Sequence, residues 1–180
     1  MQEALVGADV FIGVSVGGAL KSEYLQSMAP NPIIFAMANP VPEILPPIAR
    51  KIRPDAIVAT GRSDFPNQIN NVMCFPFLFR AALDTRTREI NEPMKIACSE
   101  ALAMLAREPV PKDVERAYDG KKFTFGPKYI MPTPFDPRLI DVVPRAVAQA
   151  AMDSGVARVN IKDWDAYRYQ NRARISHTYF

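Results

Sequence analysis

The chain has 180 residues, 48% of them hydrophobic, which suits one globular domain with a substantial core. Its 22 basic and 19 acidic residues are scattered along the sequence, so the net charge of +3 predicts no nucleic-acid partner. No apolar run approaches the roughly 20 residues that cross a membrane, which predicts no membrane partner either.

The histidine and cysteine residues exclude further classes of site. His177 is the single histidine, close to the C-terminus, and this argues against a Ser-His-Asp triad or a histidine-rich zinc site within this chain. Cys74 and Cys98 both lie in apolar segments, a pattern typical of buried thiols in a reducing compartment and not of a disulfide framework. The first residues lack the basic region of a signal peptide, so we expect a cytoplasmic protein.

Three apolar runs in the first third of the chain predict buried strands. They are DVFIGV at residues 9–14, PIIFAM at residues 32–37 and AIVATG at residues 56–61. Each is apolar with almost no alternation, which is typical of strands covered on both faces. SEYLQSM, with Ser22 as the expected N-cap, and PEILPPIARKI supply a short helix in each gap. The order is that of a βαβαβ unit, whose strands lie parallel in one sheet.

The remainder of the chain is predicted to be helical. Residues 67–84 indicate a largely buried helix, with a kink or break at Pro76. A second helix follows Asn91, its expected cap, and has Pro93 in its first turn. VPKDVERAYDG predicts a short helix that ends at Gly120. A further helix opens at Asp136 and Pro137, with a possible break at Pro144, and ends before Gly155 at a C′-like position. KDWDAYRYQNRARISHTYF predicts a polar, aromatic helix or tail.

The pattern predicts an α/β fold, the second half of a doubly wound parallel (Rossmann-like) sheet followed by carboxy-terminal helices. In such sheets ligands bind outside the carboxyl ends of the strands. The segments GVSVGGAL, MANPVPE and TGRSDFPNQ follow the three strands and converge on that edge. We expect Gly13, Gly17 and Gly18 to let the backbone approach a flat ligand closely. The chain contains no G-x-G-x-x-G fingerprint, so the pyrophosphate-binding half of a dinucleotide site is not in this sequence.

Four segments, in this order, resemble the cofactor-binding domain of malic enzymes of the shorter bacterial type. They are GADVFIGVSVGGAL, MAPNPIIFAMANPVPEI, ATGRSDFPNQINNVMCFPFLFRAALD and INEPMKIA. The resemblance covers roughly Glu3 to Gly155 and is weak beyond Val156. Its most specific pieces are ANP after the second strand and GRSDFPNQ-x-NNV after the third.

The resemblance implies site residues at matching positions. Asn39 of the NP dipeptide and Asn71 of the NNV run are expected to bind the substrate and the nicotinamide ribose region. Val14, Ser15 and Val16 are similar to the segment that packs on the nicotinamide side of the cofactor. A neutral amide suits this role, because it donates to a carboxylate or hydroxyl without adding a charge that opposes hydride departure.

The resemblance also implies a reaction. Malic enzymes oxidatively decarboxylate L-malate to pyruvate and CO₂ with reduction of NAD or NADP, aided by Mg²⁺ or Mn²⁺, and we expect a homodimer or higher homo-oligomer. The catalytic tyrosine and lysine and the acidic metal ligands belong upstream of this sequence. We therefore expect no catalytic residue and no metal ligand on this chain, and we expect the chain to be an inactive fragment of a larger enzyme.

Several alternatives stay open at this level. The chain could be a non-catalytic interaction or regulatory module that retains a half-Rossmann fold. Asn71 could be a helix cap or first-turn residue, and Asn39 could be a turn former before Pro40. Arg62 and Asp64 are expected to form only a local ion pair. We place a partial NAD(P)-binding domain at residues 1–155 and a helical tail or linker at residues 156–180.

Overall fold

A computed structural model describes residues 1–176, and His177 lies outside the described residues. The chain forms two compact units. The first combines residues 1–70 with residues 125–131, and the second combines residues 71–124 with the chain from residue 132 onwards. The first is called the sheet unit below, and the second is called the helical unit.

A three-stranded parallel sheet is the centre of the sheet unit. Its strands are β1 (Val10–Gly13), β2 (Ile33–Ala36) and β3 (Ile57–Thr60), hydrogen-bonded in the order β1-β2-β3. Each strand lies within one residue of the run that predicts it. The strands pair in parallel as predicted. The expected burial of both faces is not observed, because residues of β2 alternate between half-buried and buried and β1 is exposed at Val10 and Ile12.

Three short helices accompany these strands: α1 (Gln2–Leu5), α2 (Ser22–Leu25) and α3 (Pro46–Ile52). The expected N-cap role of Ser22 is wrong. Lys21 occupies the cap position in an extended conformation, and Ser22 has already entered the helix. α3 begins at Pro46, where a missing N–H costs least.

The core of the sheet unit lies on one face of the sheet. Ile34 and Val58 are fully buried there, and Leu25 of α2 and Ala49 of α3 pack into the same cluster. The side chain of Ile12 on β1 remains 62% exposed. Burial along β1 is therefore uneven, although its sequence is apolar throughout.

The helical unit contains five α-helices among its described residues: α4 (Phe75–Asp84), α5 (Glu92–Arg107), α6 (Lys112–Ala117), α7 (Leu139–Asp153) and α8 (Trp164–Ser176). α4, α5 and α8 all pack on α7. α7 presents a fully buried apolar stripe that includes Val143 and Val147. None of the helices formed by residues 1–176 combines the length and the apolar character that a membrane crossing requires.

The predicted start of α5 is confirmed. Asn91 is the N-cap, and its side-chain oxygen accepts a hydrogen bond from the Met94 N–H at 3.2 Å. Pro93 lies in the first turn, as expected from its missing N–H. The predicted short helix before Gly120 is also present as α6, and Gly120 adopts a left-handed φ of 76°.

Two proline positions differ from expectation. The helix predicted from residue 67 begins only at Phe75, so Pro76 lies in its first turn and neither kinks nor breaks it. α7 continues through Pro144, which is buried inside the helix. The predicted end of α7 is confirmed, since Gly155 follows the helix with a left-handed φ of 73°.

Candidate functional site

Glu43 ties together the segments that follow β1 and β2. Its carboxylate accepts hydrogen bonds from the Ser15 N–H at 2.8 Å, the Ser15 hydroxyl at 3.2 Å and the Ala38 N–H at 3.0 Å. The main chain adds a further link, because the Leu20 N–H donates to the Glu43 carbonyl at 3.1 Å. The carboxyl ends of two adjacent strands are thus joined by one side chain.

Glu43 is ionised in an enclosed position. The residue is 0% exposed, and burial alone opposes its negative charge. The N–H groups of Ser15 and Ala38 outweigh that effect and hold the pKa of Glu43 below its ordinary value. The carboxylate is therefore an internal brace of this edge.

Two of the three glycines in the first loop are required by neighbouring protein side chains. A Cβ on Gly13 would lie 2.5 Å from the Glu43 carboxyl carbon, and a Cβ on Gly17 would lie 2.7 Å from the Val41 Cβ. Gly13 and Gly17 therefore admit neighbouring protein side chains. Gly18 has a left-handed φ of 74° with open space around its Cβ position, so its glycine is favoured by the turn itself.

Val14, Ser15 and Val16 form an exposed segment directly after β1. The side chains of Val14 and Val16 are 77% and 69% exposed. Ser15 lies between them and is fixed through its N–H and hydroxyl to Glu43. The segment thus presents two apolar side chains on a backbone held in place from below.

Asn39 lies in the corresponding segment after β2. It is exposed, and its peptide bond to Pro40 is cis. The preceding residue, Ala38, is buried and donates its N–H to Glu43. The Glu43 carboxylate therefore supports both the Val14–Val16 segment and the residue next to Asn39.

The amide-rich segment after β3 is largely structural. The buried Asn67 side chain donates to the carbonyls of Val58 at 3.0 Å and Pro127 at 2.7 Å, and it accepts from the Ile130 N–H at 3.0 Å. Asn70 donates to the Gly61 carbonyl at 3.2 Å. These side-chain amides provide hydrogen-bond partners for main-chain groups that strand pairing leaves without one.

The charged residues of the same segment pair as expected. The Nε and Nη2 groups of Arg62 donate hydrogen bonds to the two oxygens of the Asp64 carboxylate, at 2.8 and 2.7 Å. The guanidinium of Arg62 holds the pKa of Asp64 below its ordinary value. Both side chains are well exposed, so the pair shapes the loop and adds little stability.

Asn71 belongs to the helical unit. It is exposed and opens a 3₁₀ turn, Asn71–Met73, whose end is marked by a hydrogen bond from the Cys74 N–H to the Asn71 carbonyl at 3.0 Å. The N-cap of α4 is Cys74. Asn71 is accordingly a first-turn residue of the 3₁₀ turn and does not cap α4.

The sheet unit thus brings Val14, Ser15, Val16 and Asn39 to one edge, at the carboxyl ends of β1 and β2. Glu43, the residue that organises this edge, was not predicted from the sequence. A signal was available, since a carboxylate follows the second strand closely within MANPVPE, between apolar and proline residues. A buried carboxylate in such a position requires several donors, and loop N–H groups supply them.

Two other features of the chain bear on ligand binding. Among residues 1–176, histidine, cysteine and acidic side chains form no group of three or more suited to a metal ion. A groove of about 730 Å³ lies within the helical unit and is lined by α5, α7 and α8, with Asp141, Arg138 and Arg168 among its residues. Two of its arginines form ion pairs: Arg168 contacts Asp141 at 3.3 Å, and Arg138 contacts Asp136 at 2.7 Å.

Comparisons with known protein families, sequences and structures all identify malic enzymes. The malic enzyme NAD-binding domain family model matches residues 4–117. An NADP-dependent malic enzyme of Rhizobium meliloti is 60% identical over 174 residues, 97% of this chain and 23% of the relative. An NAD-dependent malic enzyme of the same organism is 56% identical over 168 residues, 93% of this chain and 22% of the relative. The matches extend past residue 155, where the motif resemblance had weakened.

The crystal structure of the malic enzyme from Pyrococcus horikoshii superimposes with a TM-score of 0.81 at 40% identity, covering 99% of this chain and 37% of that one. The malic enzyme of Entamoeba histolytica gives a TM-score of 0.83 at 38% identity, covering 98% and 34%. This confirms the Rossmann-like fold class. The chain spans about a quarter of the length of the first curated relatives that it matches. The chain belongs to the malic enzyme family and carries the characteristic sequence of its NAD-binding domain.

Proposed function

We propose that this chain is part of an enzyme that oxidatively decarboxylates L-malate to pyruvate and CO₂ while reducing NAD or NADP. Relatives at 53–60% identity are called NADP-dependent, NAD-dependent and bifunctional malic/malolactic enzymes. The chain covers only part of each, so the activity is proposed for the complete protein. The isolated chain is proposed to be inactive, with the catalytic groups upstream.

One observation carries this proposal. The edge held by Glu43 presents Val14, Val16 and Asn39 together at the carboxyl ends of adjacent parallel strands. Ligands of open α/β sheets bind at such ends. Two exposed apolar side chains suit the face of a flat aromatic ring, and an exposed amide suits the polar groups attached to it.

We assign roles to five residues. Val14, Ser15 and Val16 pack on the nicotinamide side of the cofactor, with Ser15 keeping the segment in position through its bonds to Glu43. Asn39 and Asn71 donate amide hydrogens to substrate and to the nicotinamide ribose region. Both amides are exposed and available for a ligand. When bound, NAD(P) supplies the acceptor for the electrons that leave malate.

A divalent metal, Mg²⁺ or Mn²⁺, is proposed for the complete enzyme. The described residues do not provide a cluster of ligands for it, so its ligands are proposed upstream of this sequence. We assign no step on this chain to the metal. The preference between NAD and NADP likewise depends on residues of the preceding half of the fold.

The remaining assignments concern the setting of the enzyme. We propose a homodimer or higher homo-oligomer, because β1 stands at one end of the sheet and leaves Ile12 largely exposed. We propose a cytoplasmic location, since Cys74 and Cys98 are both free thiols. We also retain the proposed division into a partial NAD(P)-binding domain, residues 1–155, and a tail, residues 156–180.

The test is malate-dependent reduction of NAD or NADP by the complete protein, with pyruvate measured as product. We expect activity that depends on added Mg²⁺ or Mn²⁺, and none from the 180-residue chain alone. A complete, folded protein that binds neither cofactor nor malate would support the alternative of a non-catalytic module.

A further inference from the structure

Two cysteine thiols of the helical unit lie in direct contact. Cys74 is the N-cap of α4, and Cys98 lies in the middle of α5. Their sulfur atoms are 3.3 Å apart and share a hydrogen bond. A disulfide bond has a length of about 2.05 Å, so the two sulfurs need to approach by only about 1.2 Å.

The two thiols differ in accessibility. Cys74 is half-buried, whereas Cys98 is 1% exposed. Burial raises the pKa of Cys98 to about 12, and the hydrogen bond with Cys74 acts in the same direction. An oxidant from solvent therefore reaches Cys74 first, and Cys98 waits beside it as the second sulfur.

We propose that Cys74 and Cys98 form a reversible intramolecular disulfide when the protein meets a peroxide. The Cys74 sulfur attacks one oxygen of hydrogen peroxide, the O–O bond breaks, and the departing hydroxide takes the Cys74 proton, so that a sulfenic acid and one water form. The Cys98 sulfur then attacks the Cys74 sulfur. The S–O bond breaks, the departing hydroxide takes the Cys98 proton, and a second water leaves. In total the two thiols lose two electrons, and one hydrogen peroxide molecule is reduced to two waters.

The movement that closes the bond falls on the Cys74 side. Cys98 is held within the 16 residues of α5, whereas Cys74 is the N-cap of α4. The turn before Cys74 is exposed at Asn71 and Val72 and buried at Met73. The Cys74 N–H donates to the Asn71 carbonyl at 3.0 Å. Drawing Cys74 towards α5 therefore shifts the Asn71–Met73 turn.

This connection gives the disulfide a consequence for activity, which rests on the proposed function of Asn71. A shifted Asn71 no longer positions its amide for the substrate. The oxidised protein loses malate turnover, and a dithiol reductant restores it. The cysteine pair is in this sense a redox-sensitive modification site beside a substrate-binding residue.

The first experiment maps the bond in the complete protein treated with hydrogen peroxide and then with catalase. Differential alkylation and peptide mapping should show Cys74 and Cys98 joined in one chain, and dithiothreitol should release both. Two free thiols after treatment would overturn the proposal. So would a Cys74 sulfinic acid next to an unmodified Cys98, or a disulfide between two chains.

The second experiment uses Cys98→Ala, with Cys74→Ala as the matched variant. A sulfenic acid at Cys74 should persist in Cys98→Ala and be trapped by dimedone, whereas Cys74→Ala should show no trapping at Cys98. Trapping at Cys98 would contradict the assigned order. If either variant fails to fold, the mapping of the unsubstituted protein decides alone.

The third experiment follows kcat/KM through oxidation and reduction. We expect at least a tenfold loss that parallels disulfide formation and is reversed by dithiothreitol, with Cys98→Ala resistant to the reversible loss. A mapped disulfide with unchanged kcat/KM would remove the link to Asn71. A reduced protein without malate turnover would instead contradict the proposed function and leave the mapping result valid.

Discussion

The carboxylate of Glu43 and the main-chain N–H of Ser15 are joined by a 2.8 Å hydrogen bond across 28 residues of sequence. This bond connects the segment after β1 to the segment after β2, within the sheet unit. A second carboxylate oxygen accepts from Ala38, so both oxygens of the buried group are used. These hydrogen bonds fix the edge of the sheet in the absence of a ligand, and such preorganisation allows a ligand to be positioned accurately.

Replacing Glu43 by Gln should destabilise the sheet unit. The amide keeps one acceptor oxygen, but its NH₂ group faces a main-chain donor at Ser15 or Ala38, and one buried N–H loses its partner. The expected cost is about 1–3 kcal/mol in the free energy of unfolding. Urea denaturation measures it. Glu89→Gln, an exposed change of the same charge, should cost less than about 0.5 kcal/mol. Equal effects of the two variants would contradict the role of Glu43.

The Glu43 carboxylate should also make the free energy of unfolding depend on pH. The pKa of Glu43 is lowered in the folded protein from an ordinary value of 4.5, so the unfolded chain binds more protons in the acid range. Its stabilisation is fully present above pH 4.5 and is lost as the pH falls through the folded-state pKa. The difference in unfolding free energy between the unsubstituted protein and Glu43→Gln should be constant at neutral pH and shrink in acid. A difference that widens in acid would be inconsistent with a lowered pKa.

Replacing Asn67 by Ala should destabilise the fold without altering the chemistry. The change removes three hydrogen bonds and places alanine at a left-handed φ of 59°. We expect a loss of about 3 kcal/mol, part of it from the backbone conformation. Asn67→Gly relieves the conformational part and should recover about 1 kcal/mol. An unchanged thermal midpoint in Asn67→Ala would show that the three bonds are dispensable.

Replacing Asn71 by Ala in the complete enzyme should affect kinetics and leave stability nearly intact. The change removes a hydrogen bond to a charged substrate group, which contributes about 1.5–3 kcal/mol to binding. Its loss should lower kcat/KM by about 10- to 150-fold. The thermal midpoint should move little, because Asn71 is exposed and Cys74 holds the cap position of α4. Gln170→Ala removes an exposed amide elsewhere in the helical unit and should change neither quantity. A lowered midpoint with unchanged kcat/KM would reject the assignment.

The strands and the longer helices could be predicted because their signals are local. Unbroken apolar runs identify β1, β2 and β3 to within one residue, and Asn91 marks the start of α5 through its own N-cap bond. Pro76 shows the limit of such signals. A proline indicates either a break or a helix start, and the choice depends on where the helix begins.

The internal support of the site could not be predicted, because it depends on contacts between distant residues. Two of the three hydrogen-bond partners of Asn67 lie 60 and 63 positions further along the chain. Glu43 bonds a serine 28 positions before it. The sequence marks Gly13 as a position of close approach, but only the structure reveals that Glu43 is the neighbour that requires it.

The hydrogen bonds of Asn67 also constrain the order in which the chain can fold. Pro127 and Ile130 belong to the sheet unit, although more than 50 residues of the helical unit precede them in sequence. During synthesis the three strands emerge first and wait for residues 125–131 before this buried amide is satisfied. A recombinant boundary at residue 117, where the family match ends, would separate Asn67 from those partners. Expression trials that retain residue 131 should therefore yield more folded protein than trials that stop at 117.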